Sequence, residues 1–145
     1  MAALSDFLEN RLIDWLLRGQ TLPPPGTLHF GLLTVAPTDA GGGTEVSGGG
    51  YARVSVAATL ANFSGTQSAG STTTSTGTSG TTSNNVAITF PVPAGNWGTV
   101  VALGVYDAAT VGNLLFHMAL TSPKTVNNGD AAPSFGAGAF SLNFD

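Results

Sequence analysis

Beyond residue 26 the chain is divided into short apolar runs, each closed off by glycine, proline or a polar turn. That punctuation leaves room for strands and excludes long helices. The run TLHFGLLTV at 27–35 ends at Pro37-Thr38-Asp39 and Gly41-Gly42-Gly43. After Gly48-Gly49-Gly50 comes YARVSVAATL, in which Ala52, Val54 and Val56 alternate with Tyr51, Arg53 and Ser55. NVAITF at 85–90 is stopped by Pro91 and Pro93. TVVALGVYD (99–107) and NLLFHMAL (113–120) flank a short polar loop, as an antiparallel hairpin requires. AFSLNFD closes the chain with Phe140, Leu142 and Phe144 at every second position, which predicts one shared face. No strand–helix–strand alternation occurs, so a parallel sheet is not expected. The expected fold is mainly β: an antiparallel β-sandwich or barrel, jelly-roll-like, with one N-terminal α-helix.

The helix is LSDFLENRLIDWLLR, residues 4–18. Ser5 or Asp6 can cap its start, Asp6 and Glu9 lie near its positive end, Arg18 sits in the last turn, and Gly19 follows as a C′ residue. Leu4, Leu8, Leu12 and Trp15, with Phe7 beside them, fall on one face at helical spacing, while Ile13, Leu16 and Leu17 lie off its centre. The last two turns are therefore apolar nearly all round and should touch protein on more than one side. Docking across the end of its own domain competes with insertion against a neighbouring subunit. The expected interface is Leu4, Phe7, Leu8, Leu12, Trp15 and Leu16. Residues 1–20 are read as this amphipathic helix, an anchor or a cap. Residues 21–26, with three consecutive prolines, form an extended spacer. Residues 27–145 form a single β-domain, with a Ser/Thr-rich loop or hairpin at 64–85.

Charge narrows the function. Only 8% of the 145 residues are charged, against roughly 25% in a typical soluble domain, and Gly, Ser, Thr and Asn take their place. A neutral polar surface is desolvated more cheaply than a charged one, which favours life in an assembly. Four scattered cations, Arg11, Arg18, Arg53 and Lys124, against eight acids cannot build a phosphate-binding footprint, so nucleic acid is not an expected partner. There is no cysteine. No apolar run approaches the ~20 residues that span a bilayer, and Met-Ala-Ala-Leu-Ser-Asp has no basic stretch ahead of an apolar core, so neither membrane insertion nor a secretory signal is expected.

Candidate chemistry is thin. His29 and His117 each sit in an apolar run, without the short spacing a metal site uses, and read as core or interface residues. No GxSxG elbow and no GxxxxGK[ST] phosphate loop is present. Asp39, Glu45, Asp107, Asp130 and Asp145 could supply paired carboxylates, but they sit where Asp serves turns. Asn96-Trp97-Gly98-Thr99 reads as a structural corner, with ligand stacking on Trp97 as the rival. No catalytic residue, metal site or cofactor is expected, and the chain is not read as an enzyme.

The order of parts carries a resemblance. LSDFLENRLID, then TLHFGLLT and APTD, GGGYARV, SNNVAITFP, NWGTV, GNLLF and TSPKTVNNGD run across nearly the whole chain, with GGGYARV, NWGT and GNLLF the most distinctive. In this order they resemble small virion proteins of tailed bacteriophages and prophages labelled tail-fibre-like. The resemblance implies a structural virion protein, made in the bacterial host cytoplasm and carried on the tail, with capsid decoration as the alternative. A carbohydrate-binding adhesion module, stacking a host glycan on Trp97, Tyr51 and Tyr106, is a third reading. Its partners would be other virion proteins and further copies of itself, a homo-oligomer with a trimer as the working guess.

Overall fold

The computed structural model describes residues 2–144, which form one helix and ten strands. In chain order these are β1 (Ala2–Leu4), α1 (Asp6–Leu17), β2 (Thr27–Val35), β3 (Thr44–Glu45), β4 (Val54–Ala57), β5 (Thr81–Ser83), β6 (Ile88–Thr89), β7 (Gly98–Tyr106), β8 (Leu114–Val126), β9 (Ser134–Phe135) and β10 (Ser141–Asn143). Every pairing is antiparallel. The main sheet runs β1-β8-β7-β2-β3, with β4 also paired to β2. Two small sheets, β10-β5 and β6-β9, supply a second layer. The result is sandwich-like; the barrel alternative is not formed, because the sheet does not close on itself.

Register explains which residues make the core. Residues directly opposite one another in an antiparallel pair share a face. Phe30 faces Val54 on one side and Val105 on the other, Val105 faces Phe116, and Phe116 faces Leu4. Leu32, Leu103 and Met118 form the next row. Ile88, Phe90, Phe140 and Leu142, from the small sheets and their flanks, close over this face and join the same buried cluster. Phe140 meets Phe30 edge-to-face at 5.3 Å between ring centroids, a geometry that adds to the area buried. β2 and β7 are buried along both faces in their middles, which is why they read as nearly continuous apolar runs. Phe144, expected beside Phe140 and Leu142, is exposed instead.

Two local departures from the sequence reading matter. The helix begins at Asp6, not at residue 4: Leu4 belongs to β1, where it pairs with Phe116. Ser5 makes the switch. It is buried, its N–H donates to Leu115 O at 2.9 Å, and its Oγ both donates to carbonyls of β8 and accepts from Leu8 N at 3.3 Å as the N-cap. At the other end Gly19, at φ +70°, turns the chain so that Gln20 N reaches Asp14 O at 3.0 Å. The second departure is β8, which continues past Leu120 to Val126. Its register jumps between Ala102↔Ala119 and Val100↔Lys124, so Leu120–Pro123 bulge out of the ladder. A bulge is where a strand tolerates a proline, which has no N–H to contribute.

The Ser/Thr-rich segment 64–85 folds on itself largely through side chains, with Thr81–Ser83 forming β5. Gln67 Nε2 donates to Thr73 Oγ1 at 2.9 Å, and Gln67 Oε1 accepts from Thr76 N at 3.2 Å. Ser79 Oγ donates to Thr66 O at 2.7 Å. Asn84, 1% exposed, lies near the end of the segment as a hub: Oδ1 accepts from Phe140 N, and Nδ2 donates to Val86 O and Gly136 O, each at 2.8–2.9 Å. Every group of that amide is used, which a buried amide requires.

Candidate assembly interface

The most polar buried cluster is closed to ligands by its own bonds. β4 and β3 pair with successive parts of β2, at Thr27–Phe30 and at Leu33 and Val35, leaving a gap between them. Tyr51 fills the gap: its hydroxyl accepts from Leu32 N at 2.8 Å and donates to Glu45 Oε1 at 2.7 Å. Arg53 grips the same carboxylate in a fork, Nε to Oε1 at 2.9 Å and Nη2 to Oε2 at 2.7 Å. Its Nη1 donates to Ala108 O and Val111 O, both at 2.8 Å, in the β7–β8 loop. Gly31 makes the space, because a Cβ there would lie 2.7 Å from Glu45 Oε1. Burial, joined by the hydrogen bond to Glu45, pushes the Tyr51 hydroxyl well above the usual tyrosine range. Burial likewise raises Tyr106. Through the Arg53 fork and its two bonds to loop carbonyls, this cluster ties loops to the sheet.

The other ionisable groups are dispersed. His29 Nδ1 lies 2.8 Å from Ser55 Oγ on the neighbouring strand. His117 Nε2 lies 3.5 Å from Asp39 Oδ1. Strand β7 separates the two histidines in the sheet. Among the described residues no group of three or more His, Cys, Asp or Glu is placed to hold a metal. Asp107 is engaged by Asn113, which donates to both carboxylate oxygens at 2.7 Å.

The aromatic side chains offered for glycan stacking lie within the protein. Trp97 is 4% exposed, its Nε1 donates to Gly49 O at 2.8 Å, and Gly98 turns the chain at φ +84°. Tyr106 is buried under Arg53, and Tyr51 packs edge-to-face on Trp97 at 5.3 Å. The corner reading of Asn96–Thr99 holds, and the stacking platform has no exposed ring among these three.

Helix α1 is different, because none of its residues is buried. Leu4, on β1, and Phe7 and Leu8, in the first helical turn, pack against the core cluster, and Leu12 is half-buried. Trp15 and Leu16 are exposed, at 53% and 71%. Ile13 and Leu17, which the sequence places off the centre of the main stripe, are exposed with them at 49% and 76%. Ile13, Leu16 and Leu17, at i, i+3 and i+4, form a second stripe on the side of the helix away from the core-facing one; the expected interface included Leu16 but neither Ile13 nor Leu17. Asp14 and Arg18 flank this stripe as an exposed ion pair at 2.7 Å.

A groove beside the β8 bulge leaves no trace in the amino-acid pattern. It has a volume of about 630 Å³ and a floor made by Leu32, Val100 and Val126, with Phe135 beside them and Lys124 and Asp130 at its polar edge. The helix is too short and too charged to cross a membrane, and no described helix is long and apolar enough to do so.

Compared with known proteins, residues 3–143 match the family model described as podophage GP4 fiber I protein gp80. No curated protein matches the chain.

Proposed function

The chain belongs to the podophage GP4 fiber I protein family, and from that premise we propose that it is a tail-fibre-associated structural subunit that works by protein–protein assembly, with the outer side of α1 as its anchor. The observation that carries the reading is the exposed ridge Ile13, Leu16 and Leu17 on the outer side of one short helix, with Trp15 exposed on the adjoining face. A free subunit gains nothing from leaving four large apolar side chains in water. Burying what remains exposed of each against a partner recovers roughly 1–2 kcal/mol, a fraction of the value for full burial. The helix is held rigidly at its start by Ser5 and by Asp6 N donating to Asp39 O at 2.8 Å, so the face is presented in a defined direction. The β-domain then serves as the body of the subunit. No reaction is assigned to it.

The test is a phage carrying the double substitution Leu16→Lys and Leu17→Lys. Both side chains are exposed, so the isolated variant should keep its melting temperature while its incorporation into purified particles drops sharply. Normal incorporation would remove the helix from the assembly role. Quantitative mass spectrometry of intact virions separates the two locations. On the order of tens of copies fits a tail appendage, whereas hundreds would place the subunit on the capsid as decoration.

A further inference from the structure

The molecule carries both halves of a contact that it does not make with itself. One half is convex: Ile13, Leu16 and Leu17 project from α1, flanked by Asp14 and Arg18. The other is concave: the groove of about 630 Å³ beside the β8 bulge, floored by Leu32, Val100 and Val126, with Lys124 and Asp130 at its edge. Lys124 is the sole lysine of the chain, and no carboxylate among the described residues lies within ion-pair distance of it. The groove has the size of a small-molecule pocket, and its lining is mainly apolar, with Thr121, Ser122 and Ser134 adding hydroxyls and Lys124 and Asp130 its only charges. Its single cation and single anion match the anion and cation that flank the helical ridge.

From this complementarity we infer that the α1 ridge of one copy seats in the groove of a second copy. Leu16 and Leu17 lie on the apolar floor, Asp14 meets Lys124, and Arg18 meets Asp130. The inference rests on the proposal that the outer side of α1 is an assembly surface, and names its partner. Ridge and groove are different patches, so the contact is head-to-tail. Each copy gives a ridge to one neighbour and a groove to the other, and the chain of contacts closes into a ring or continues as a filament. An isologous helix-to-helix dimer would leave the groove and Lys124 unused.

The absence of cysteine makes the test clean. Leu16→Cys and Ala132→Cys, the latter in the groove lining, are made in separate full-length chains carrying tags of different length. Folding of each is checked by circular dichroism. The two are then mixed and treated with a short bis-maleimide. The expected product is the mixed-tag dimer, in clear excess over either same-tag dimer. Lys124→Glu in the groove copy should lower its yield about fivefold, the effect of losing one partly exposed ion pair. Asp14→Lys in the helix copy should restore it. A Leu16→Cys homodimer as the main product would overturn the inference by showing that the helix pairs with itself, and would leave the helix as an assembly surface. No cross-linked product from chains that stay monomeric by light scattering would also overturn it. The incorporation of the Leu16→Lys/Leu17→Lys variant into particles then decides the fibre-subunit reading independently.

Discussion

The Arg53 guanidinium lies over the ring of Tyr106, 3.4 Å from its centroid, while the same guanidinium holds Glu45 in a two-bond fork. The stacking fixes the plane of the fork, and the fork anchors a carboxylate that also receives the Tyr51 hydroxyl. Three separate stretches of chain, around Glu45, Tyr51–Arg53 and Tyr106–Val111, are thereby locked over the Gly31–Gly104 pair of the central strands.

Removing one partner should therefore cost far more than a surface ion pair would. The Arg53 side chain is only 7% exposed and that of Glu45 24%. Arg53→Ala should lower the unfolding free energy by about 3 kcal/mol, because it leaves a half-buried carboxylate without its counter-charge and two loop carbonyls without the guanidinium donor. Replacing both, Arg53→Met with Glu45→Leu, should cost less than Arg53→Ala alone, since no charge is stranded. Urea denaturation of the single and double variants measures both.

Alkali should act through the two tyrosines, the only ones in the chain. In the folded protein both hold their protons above the ordinary range, Tyr51 most strongly. The unfolded chain releases those protons near pH 10. Above that pH the unfolded state binds fewer protons than the native state, so stability is full below about pH 10 and falls as pH rises beyond it. Melting temperatures followed from about pH 8 to pH 11 should decline, and the decline should be shallower in Tyr51→Phe, even though that variant starts lower.

Asn84 should be as costly to lose as Arg53. Asn84→Ala strands the Phe140 N–H and the Val86 carbonyl inside the protein and leaves Gly136 O with only its bond from Ala139 N. A cost of about 3 kcal/mol follows from two or more buried groups left unsatisfied. Hydrogen exchange should show protection lost first at Phe140, whose amide it accepts, and next at the β5–β10 pair.

Val111 should yield the opposite sign. It is β-branched, 87% exposed and held at φ 57°, a left-handed conformation that suits glycine. Only its carbonyl, which accepts from Arg53 Nη1, matters to the structure. Val111→Gly should raise stability by about 1 kcal/mol, read from thermal or urea unfolding, because the strain removed exceeds the added freedom of the unfolded chain. A neutral or lower value would mean that the side chain contributes contacts which its exposure does not reveal.

The amino-acid order by itself determined the kind of element at most positions. The run at 27–35 became β2 over the same residues, Ser5 and Gly19 bracket the helix, and Trp97-Gly98 turns the corner between loop and sheet. These outcomes depend on backbone preferences and apolar spacing within a few residues, which are written locally. Only the tertiary structure decided that Leu4 joins a strand, that β8 runs on through Pro123, that Tyr51 plugs the gap between β3 and β4, and that Asn84, inside a tract of hydroxyl residues, becomes a buried hub. It also decided which side of α1 faces the core and left Ile13, Leu16 and Leu17 outside. Each of these is a matter of which distant group satisfies a hydrogen bond or covers a side chain. Partners far apart in sequence, such as Ser5 and Leu115 or Asn84 and Phe140, leave no periodic trace in the chain that a local reading could follow.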